Sequence, residues 1–563
     1  MDGQKPPGGA DHPEKAEYKY PTRNCINTQF CQPGIMTKFL HLKKKTNKDP
    51  FIYGLEELIN INLKNKKYIS NNLTEEDLRT LRFSPVVLGR GVDLFKAYHD
   101  DYKVEEIKLN PEDRKQHLGV LGSTGCGKTS FLINMIRQDI KAFRNVIVFD
   151  PKGDLKIFGA ILESAAEVGR LEEVLYTSTV FPGLSLRINL LRYFYIPDEL
   201  IDHVVSGIKA KEEFFINIAT EVTYAIVFSL LTLAGAGSYD QDGDYVLNFY
   251  RIKEKCDFNK LRELKEALQY LTNHSDPVIR ETAIHTTLML EQILNSPQEF
   301  FGKVSSSLRT VLTALSTSVT GEIMGKSTTN EPVRRLENND EGLILYCHTG
   351  DTLARGTAHI IARVMTSMIQ AAGARKMATG KAFNIPLCVY MDEGHNVLYP
   401  RIQELFNKGR SARIWLHLFT QSYAQIVEVV GEERAKSIRD NINTWAFMRI
   451  AHEDTMKQIE ESSPPVASYT KHYSLADGHT LITTREDERK LVLAGDLKNM
   501  PDRHFILVTK EGRFFKCETS FVPDPAVKVI FPEIKPREVP FHEALKSLFQ
   551  QFSSDSNKNS VVN

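Results

Sequence analysis

The chain has 563 residues, 42% of them hydrophobic and 25% charged, the balance of a soluble globular protein of roughly two to four domains. Lys plus Arg and Asp plus Glu each number 71, so the formal net charge is zero. That excludes a protein that coats nucleic acid by bulk charge and confines any such contact to a pore or one face. Seven scattered cysteines point to reduced thiols in a cytosolic compartment, and the spacing of Cys25, Cys31 and His41 fits no zinc pattern.

Residues 1–17 are polar, carry three prolines and lack an apolar core, so they read as a disordered N-terminus and not as a secretory signal. The segment 18–105 is mixed. It carries basic clusters at Lys43 to Lys45 and Lys64 to Lys67, which suit a solvated face, a lipid surface or DNA. Thr74-Glu75-Glu76-Asp77 predicts a helix start with Thr74 as its cap.

The α/β pattern then begins. His117 to Leu121 reads as a short apolar strand, and Ser130 to Ile136 as an amphipathic helix. Between them Gly122-Ser123-Thr124-Gly125-Cys126-Gly127-Lys128-Thr129 fits the P-loop pattern GxxxxGK[ST] at every fixed position. The glycines let backbone N–H groups cradle a β-phosphate, and the helix opening at Thr129 and Ser130 aims its positive dipole end at the same place. Lys128 supplies a mobile charge for the β/γ-phosphates, and the Thr129 hydroxyl a ligand for Mg²⁺. These residues therefore predict binding of ATP with Mg²⁺.

Asn145 to Asp150 is a β-branched run suited to a buried parallel strand, closed by the polar turn Asp150-Pro151-Lys152-Gly153-Asp154. Beyond Leu191 the period becomes helical, as in Leu261, Leu264, Leu268 and Leu271 or Val304, Leu308, Val311 and Leu315. This predicts an inserted all-helical domain. Val222 to Tyr239 lacks charge but is broken by polar residues and glycines, so it reads as a core helix, and no segment of the chain reads as transmembrane.

Strand character returns at Gly342 to Cys347, followed by a helix from about Leu353 to Met377. The run Ile385 to Met391 ends in Asp392-Glu393, the pair that complements a P-loop: Asp392 to hold Mg²⁺ and Glu393 to polarise the attacking water. Ile414 to Phe419, Trp445 to Ile450 and Phe505 to Val508 are further predicted strands, the last pairing with Phe514 to Cys517 as a hairpin. Gln421 at the tip of the Ile414 strand is placed to touch a γ-phosphate or its water. Arg410 and Arg413 are candidate arginine fingers across a subunit interface. The alternation of strands and helices predicts an α/β fold with a mostly parallel sheet.

Taken in order, GSTGCGKT, DPKGD, MDEGHN, KGRSAR and FTQSYAQI resemble the motifs of type IV secretion coupling proteins, and most of all the TraD/TraG-like conjugative coupling ATPases. Leu88-Gly89-Arg90-Gly91 and Arg187 to Leu191 resemble that group as well, and the likeness spans roughly residues 80–525. The resemblance implies a RecA-like P-loop nucleotide-binding domain with a mostly parallel sheet and an inserted all-helical domain. It carries ATPase roles to Lys128, Thr129, Asp392 and Glu393, γ-phosphate sensing to Gln421, and the finger to Arg410. It further implies a homo-hexamer that brings single- or double-stranded DNA with its relaxase, or protein substrates, to the channel subunits of a type IV secretion system.

The best-known members begin with transmembrane helices, so the lack of one here suggests either a membrane-anchored partner, with a peripheral place at the bacterial inner membrane, or membership of a soluble branch. The expected divisions are a disordered 1–17, an N-terminal segment 18–105, the nucleotide-binding domain in parts 106–195 and 331–535, the all-α insertion 196–330, and a tail 536–563. A related ring ATPase for assembly or protein export, and a non-hydrolysing substrate-receptor scaffold, remain alternatives.

Overall fold

The computed structural model describes residues 52–531, apart from 100–101, 209–212, 238–246, 339–340, 400 and 477–478, together with 534 and 546. In chain order the strands are β1 (Ile52–Tyr53), β2 (Val86–Asp93), β3 (Glu105–Leu109), β4 (Leu118–Leu121), β5 (Asn145–Asp150), β6 (Val174–Ser178), β7 (Ile344–His348) and β8 (Leu387–Met391). They continue with β9 (Ile414–Thr420), β10 (Thr444–Phe447), β11 (Pro465–Ala476), β12 (His479–Lys490), β13 (His504–Val508), β14 (Phe514–Thr519) and β15 (Lys528–Val529).

Eleven of these form one sheet in the order β3-β2-β14-β13-β10-β4-β9-β8-β5-β7-β6. Every neighbouring pair from β10 to β6 is parallel. Every pair from β10 outward to β3 is antiparallel. Helical crossovers cover both faces of a parallel sheet, so its strands must be apolar throughout. Accordingly, every residue of β5, β7, β8 and β9 is buried. The fold is the expected α/β type with a mostly parallel sheet, and β13 and β14 form the predicted hairpin.

One boundary differs from the sequence reading. β10 ends at Phe447 and not at Ile450: the Met448 N–H makes the last rung to β4, on the Leu121 carbonyl, and the Ile450 N–H turns away to the Leu497 carbonyl. The chain leaves the sheet there to brace the loop after β4. The twelve paired positions of β11 and β12 form a separate ribbon that no sequence signal announced. Segments such as Arg485-Glu486-Asp487-Glu488-Arg489 carry no apolar alternation.

Between β6 and β7 the described residues hold helices and no strand, from Pro197–Ser206 through Glu331–Glu337. Their Leu261, Leu264, Leu268, Leu308, Val311 and Leu315 are buried in one contiguous cluster with Ile147, Leu345 and Val389 of the sheet. The stretch Phe214–Gly235 is long and apolar enough to cross a membrane. Its Val222, Ala225, Ile226 and Leu230 are buried in that same cluster. The helix Glu75–Arg82 starts on Thr74 with a capping box, as its sequence predicted. On the preceding helix, Leu55–Asn72, Lys66 pairs with Glu172 at 3.2 Å. The other basic cluster, Lys43 to Lys45, lies outside the described residues, as do Cys25, Cys31 and His41. Cys126, Cys256, Cys347, Cys388 and Cys517 are free and buried.

The helix after the P-loop, Lys128–Lys141, is bolted to the sheet through a charge cluster that its sequence hid. Asp139, fully buried, accepts two hydrogen bonds from Arg114 and one from Arg144, each 2.6 Å long, and a fourth from the Tyr390 hydroxyl. Both guanidiniums lie over the Trp415 ring of β9, at 4.9 and 5.4 Å. Burial by itself would raise the Asp139 carboxyl, but the adjoining guanidiniums hold it far below the usual carboxylate range.

Asp139→Asn leaves two buried cations short of their counter-ion, which costs about 3–5 kcal/mol of stability. Because the folded-state pKa is depressed, this stabilisation is present above the ordinary aspartate value of about 3.9 and is lost as pH falls below it. Thermal unfolding should therefore show a large parent-to-variant gap at pH 7 that narrows below pH ~4. An equal melting temperature at pH 7 would contradict the role given to this cluster.

Candidate active site

The site assembles at the carboxyl ends of four adjacent strands, β4, β9, β8 and β5. Neighbouring strands lie about 4.8 Å apart, so the loops leaving these four span roughly 14 Å. That is a suitable width for a nucleoside triphosphate's phosphates and its metal.

The loop after β4 occupies Gly122 to Gly127 and opens the helix at Lys128. Gly125 and Gly127 sit at φ +79° and +104°, backbone that L side chains rarely adopt. At Gly127 a Cβ would also lie 3.1 Å from the Arg503 backbone nitrogen. Neighbouring chain segments brace the loop. Gly122 N–H donates to Thr420 O, Ser123 N–H to Arg449 O, and Arg503 N–H to Cys126 O.

Thr124 and Gly125 are exposed at the loop's crest, and Ser123, Gly127, Lys128, Thr129 and Ser130 are half-buried behind them. The Cys126 thiol faces the core at 3.8 Å from Met448 Sδ, where burial raises it, so this residue offers backbone and not sulfur to a ligand. Lys128 Nζ donates to the Gly122 and Ser123 carbonyls at 2.5 and 3.0 Å. The cation is thus stored on its own loop, within a side-chain rotation of the cradle.

Across the site, β8 delivers Asp392 and Glu393, which are 8% and 7% exposed. The Asp392 N–H donates to Phe149 O of β5. Burial, with Asp150 and Glu393 close by, pushes the Asp392 carboxyl up to about 7. A buried carboxyl crowded by two others calls for a cation, and its oxygens with the Thr129 hydroxyl are the donor type that Mg²⁺ takes. Among the described residues no group of three or more His, Cys, Asp or Glu forms a metal site.

Glu393 stands at φ +44°, ψ +51°, a left-handed conformation that costs a non-glycine about 1–3 kcal/mol and is concentrated at functional sites. Its carboxylate accepts from Lys152 Nζ at 2.6 Å and from Gln421 Nε2 at 3.3 and 3.4 Å. Burial opposes its ionisation, but Lys152, Lys128 and Gln421 together keep it below the usual glutamate range. Gln421 follows β9, and its loop is set by Gln425, whose Oε1 accepts from Thr420 Oγ1 and Gln421 N–H.

The structure thus brings Gln421 and the Lys128 charge to Glu393, with Asp392 beside it, and sets Thr129 in the first turn of the helix that follows the loop. It does not bring Arg410 to them. Arg410 lies exposed near the end of the helix Gln403–Ala412, just before β9 starts, while Gln421 follows β9's far end. β9 has seven residues, about 23 Å of strand, so Arg410 lies out of reach of the phosphate cradle on its own chain. Arg413 ends that helix at φ +61°, donates to Phe383 O and covers the Phe83 ring. Its side chain is committed within its own chain.

Two participants were visible in the sequence as motif letters but were given no role: Gln425 and Lys152. The spacing of the DPKGD turn marked a strand end, yet only the sheet order, with β5 next to β8, reveals what its lysine touches.

Residues 386–502 match the family model described as the TraM recognition site of TraD and TraG, and residues 97–233 match the central domain of the helicase HerA. No curated protein matches the chain in sequence. Among solved structures it is similar to the bacterial conjugative coupling protein TrwBdeltaN70, with a TM-score of 0.55 and 14% identity over 74% of this chain and 88% of that one. TrwB with ADP and Mg²⁺ gives 0.51 at 15% identity, and TrwB with the GTP analogue GDPNP 0.52 at 14%, over the same shares of each chain. The fold is therefore the expected α/β P-loop architecture, and residues 386–502 resemble the corresponding part of TraD and TraG.

Proposed function

We propose that the protein is an ATP-hydrolysing coupling protein, which recruits relaxase-bound DNA, protein substrates or both to a type IV secretion channel and helps drive their transfer. The observation that carries this reading is the convergence of Lys128, Asp392, Glu393 and Gln421 on adjacent strand ends, within a chain matched over residues 386–502 by a TraD/TraG model. A scaffold that only recognises substrate has no use for the Glu393 carboxylate held in strained backbone beside a P-loop.

In this reading the loop Gly122–Gly127 cradles the β-phosphate, and Lys128 leaves its two carbonyls for the β/γ-phosphates. Thr129 and Asp392 would hold Mg²⁺, which would neutralise charge on the phosphates. Glu393 orients the attacking water and Gln421 reports the γ-phosphate. Several subunits, a hexamer by resemblance, stack so that Arg410 reaches a neighbour's nucleotide. DNA with its relaxosome, the channel subunits and a membrane-anchored protein at the inner membrane are the partners.

ATPase rate with and without single- or double-stranded DNA tests the proposal. Stimulation by DNA supports it, turnover indifferent to DNA supports an assembly or export ATPase, and no turnover supports a scaffold.

The trans role of Arg410 has its own check. Arg410→Ala and Lys128→Ala subunits should each be inactive alone, and mixing them should restore part of the ATPase rate at mixed interfaces. Mixed rings that form but show no recovery would make Arg410 structural.

A further inference from the structure

Lys152 has no part in the roles assigned above, yet the fold holds it in a defined place. The turn that carries it is rigid. Asp150, fully buried, accepts from the backbone N–H groups of Lys152, Gly153 and Asp154 and from the Tyr346 hydroxyl. Gly153 sits at φ +73°, and a Cβ there would fall 2.3 Å from His348 Nε2, so the turn rests flat on that imidazole.

So fixed, the turn sends Lys152 sideways from β5 to the end of β8, where Nζ meets Glu393 Oε1 at 2.6 Å. The Lys152 side chain is 56% exposed, and a lysine so placed ordinarily leaves its ammonium in water. Here the ammonium is drawn instead to a carboxylate that is 9% exposed. Because β8 lies between β9 and β5, Gln421 and Lys152 approach Glu393 from opposite flanks. Among the described residues the other charged groups facing it are Lys128, Asp392 and His395, whose Nδ1 is 3.9 Å away, and none of these three donates a hydrogen bond to it.

We propose that Lys152 is a positioning residue of the hydrolytic site: it holds the Glu393 carboxylate in the orientation that addresses the attacking water, and it keeps that hold when Gln421 turns to the γ-phosphate. The inference rests on the reading of Glu393 as the water-orienting group. A carboxylate gripped from two sides has one rotamer. Once nucleotide claims Gln421, only Lys152 preserves that rotamer, and misplacing a catalytic group by about 1 Å is enough to cost ~10²-fold in rate.

The test uses the full-length protein at saturating Mg²⁺. Lys152→Ala should lower kcat about 10²-fold. The KM for ATP, and the affinity for a non-hydrolysable ATP analogue measured by fluorescence, should not change. Lys152→Arg should recover much of the rate, because it restores a cationic donor, whereas Lys152→Met, which keeps only the apolar stem, should not. In nucleotide-free protein, Lys152→Ala and Glu393→Gln should be non-additive in melting temperature, since either one breaks the same pair.

Parent-like kcat in Lys152→Ala or Lys152→Met overturns the inference. So does a raised kcat, which would make Lys152 a restraint on Glu393, and so does a loss of analogue affinity that matches the loss of rate, which would make Lys152 a phosphate ligand. A parent protein with no ATP turnover under any condition would instead sink the underlying functional reading, and the nucleotide-free melting cycle would still report on the pair.

Discussion

Lys128→Ala is expected to abolish ATP turnover, with kcat/KM reduced at least about 10³-fold, while nucleotide-free stability stays within about 0.5 kcal/mol of the parent. Both halves follow from where Nζ sits. Its partners are the Gly122 and Ser123 carbonyls of its own loop, and its side chain is half-buried at the site's mouth and does not fill the core. Truncation therefore opens no cavity and strands no buried donor. It does remove the only cation that the loop can swing onto the β/γ-phosphates. Steady-state kinetics and a melting curve without nucleotide decide the matter. Retention of a large share of the activity would put the phosphate-binding charge elsewhere, and a collapse in stability would make Lys128 a structural residue.

Glu393→Gln should part binding from chemistry. The amide has nearly the shape of the carboxylate and leaves Asp392 in place for the metal, so ATP should bind with parent affinity and persist. Removing the charge that orients water should lower kcat by about 10²–10⁴-fold. The backbone strain at φ +44° is unchanged by this substitution, so nucleotide-free stability should fall only by what loss of the Lys152 ion pair costs. Equilibrium binding of ATP followed by product analysis separates the two effects. Hydrolysis at the parent rate would show that another group orients the water. Loss of ATP binding would show that Glu393 serves the metal more than the water.

Much of the fold could be read from residue patterns because parallel strands buried on both faces must be continuous apolar runs. The run Asn145 to Asp150 is β5 without change, and Ile414 to Phe419 lacks only Thr420 of β9. The antiparallel strands other than the β13–β14 hairpin were harder to see. β2 contains Gly89-Arg90-Gly91, and β12 of the separate ribbon is half charged residues, so neither offers an apolar period to count. The buried Arg114–Asp139–Arg144 cluster was equally hidden, because charged side chains in a sequence look like surface until the tertiary structure pairs them.

The sequence by itself determined the chemistry on offer. The P-loop spacing, the acid pair at a strand's end and the order of the motifs each depend on residues close together in the chain, where backbone conformation is set locally. What only the tertiary structure decided was adjacency across the sheet. The order β4-β9-β8-β5 places Gln421 and Lys152 on either side of Glu393, although 28 residues separate Gln421 from it and 241 separate Lys152. The direction of β9 sets Arg410 at the amino ends of the strands, beyond reach of its own P-loop. Strand order follows from how crossover helices pack and how long-range apolar surface is buried. That is a property of the whole chain, and no local pattern records it.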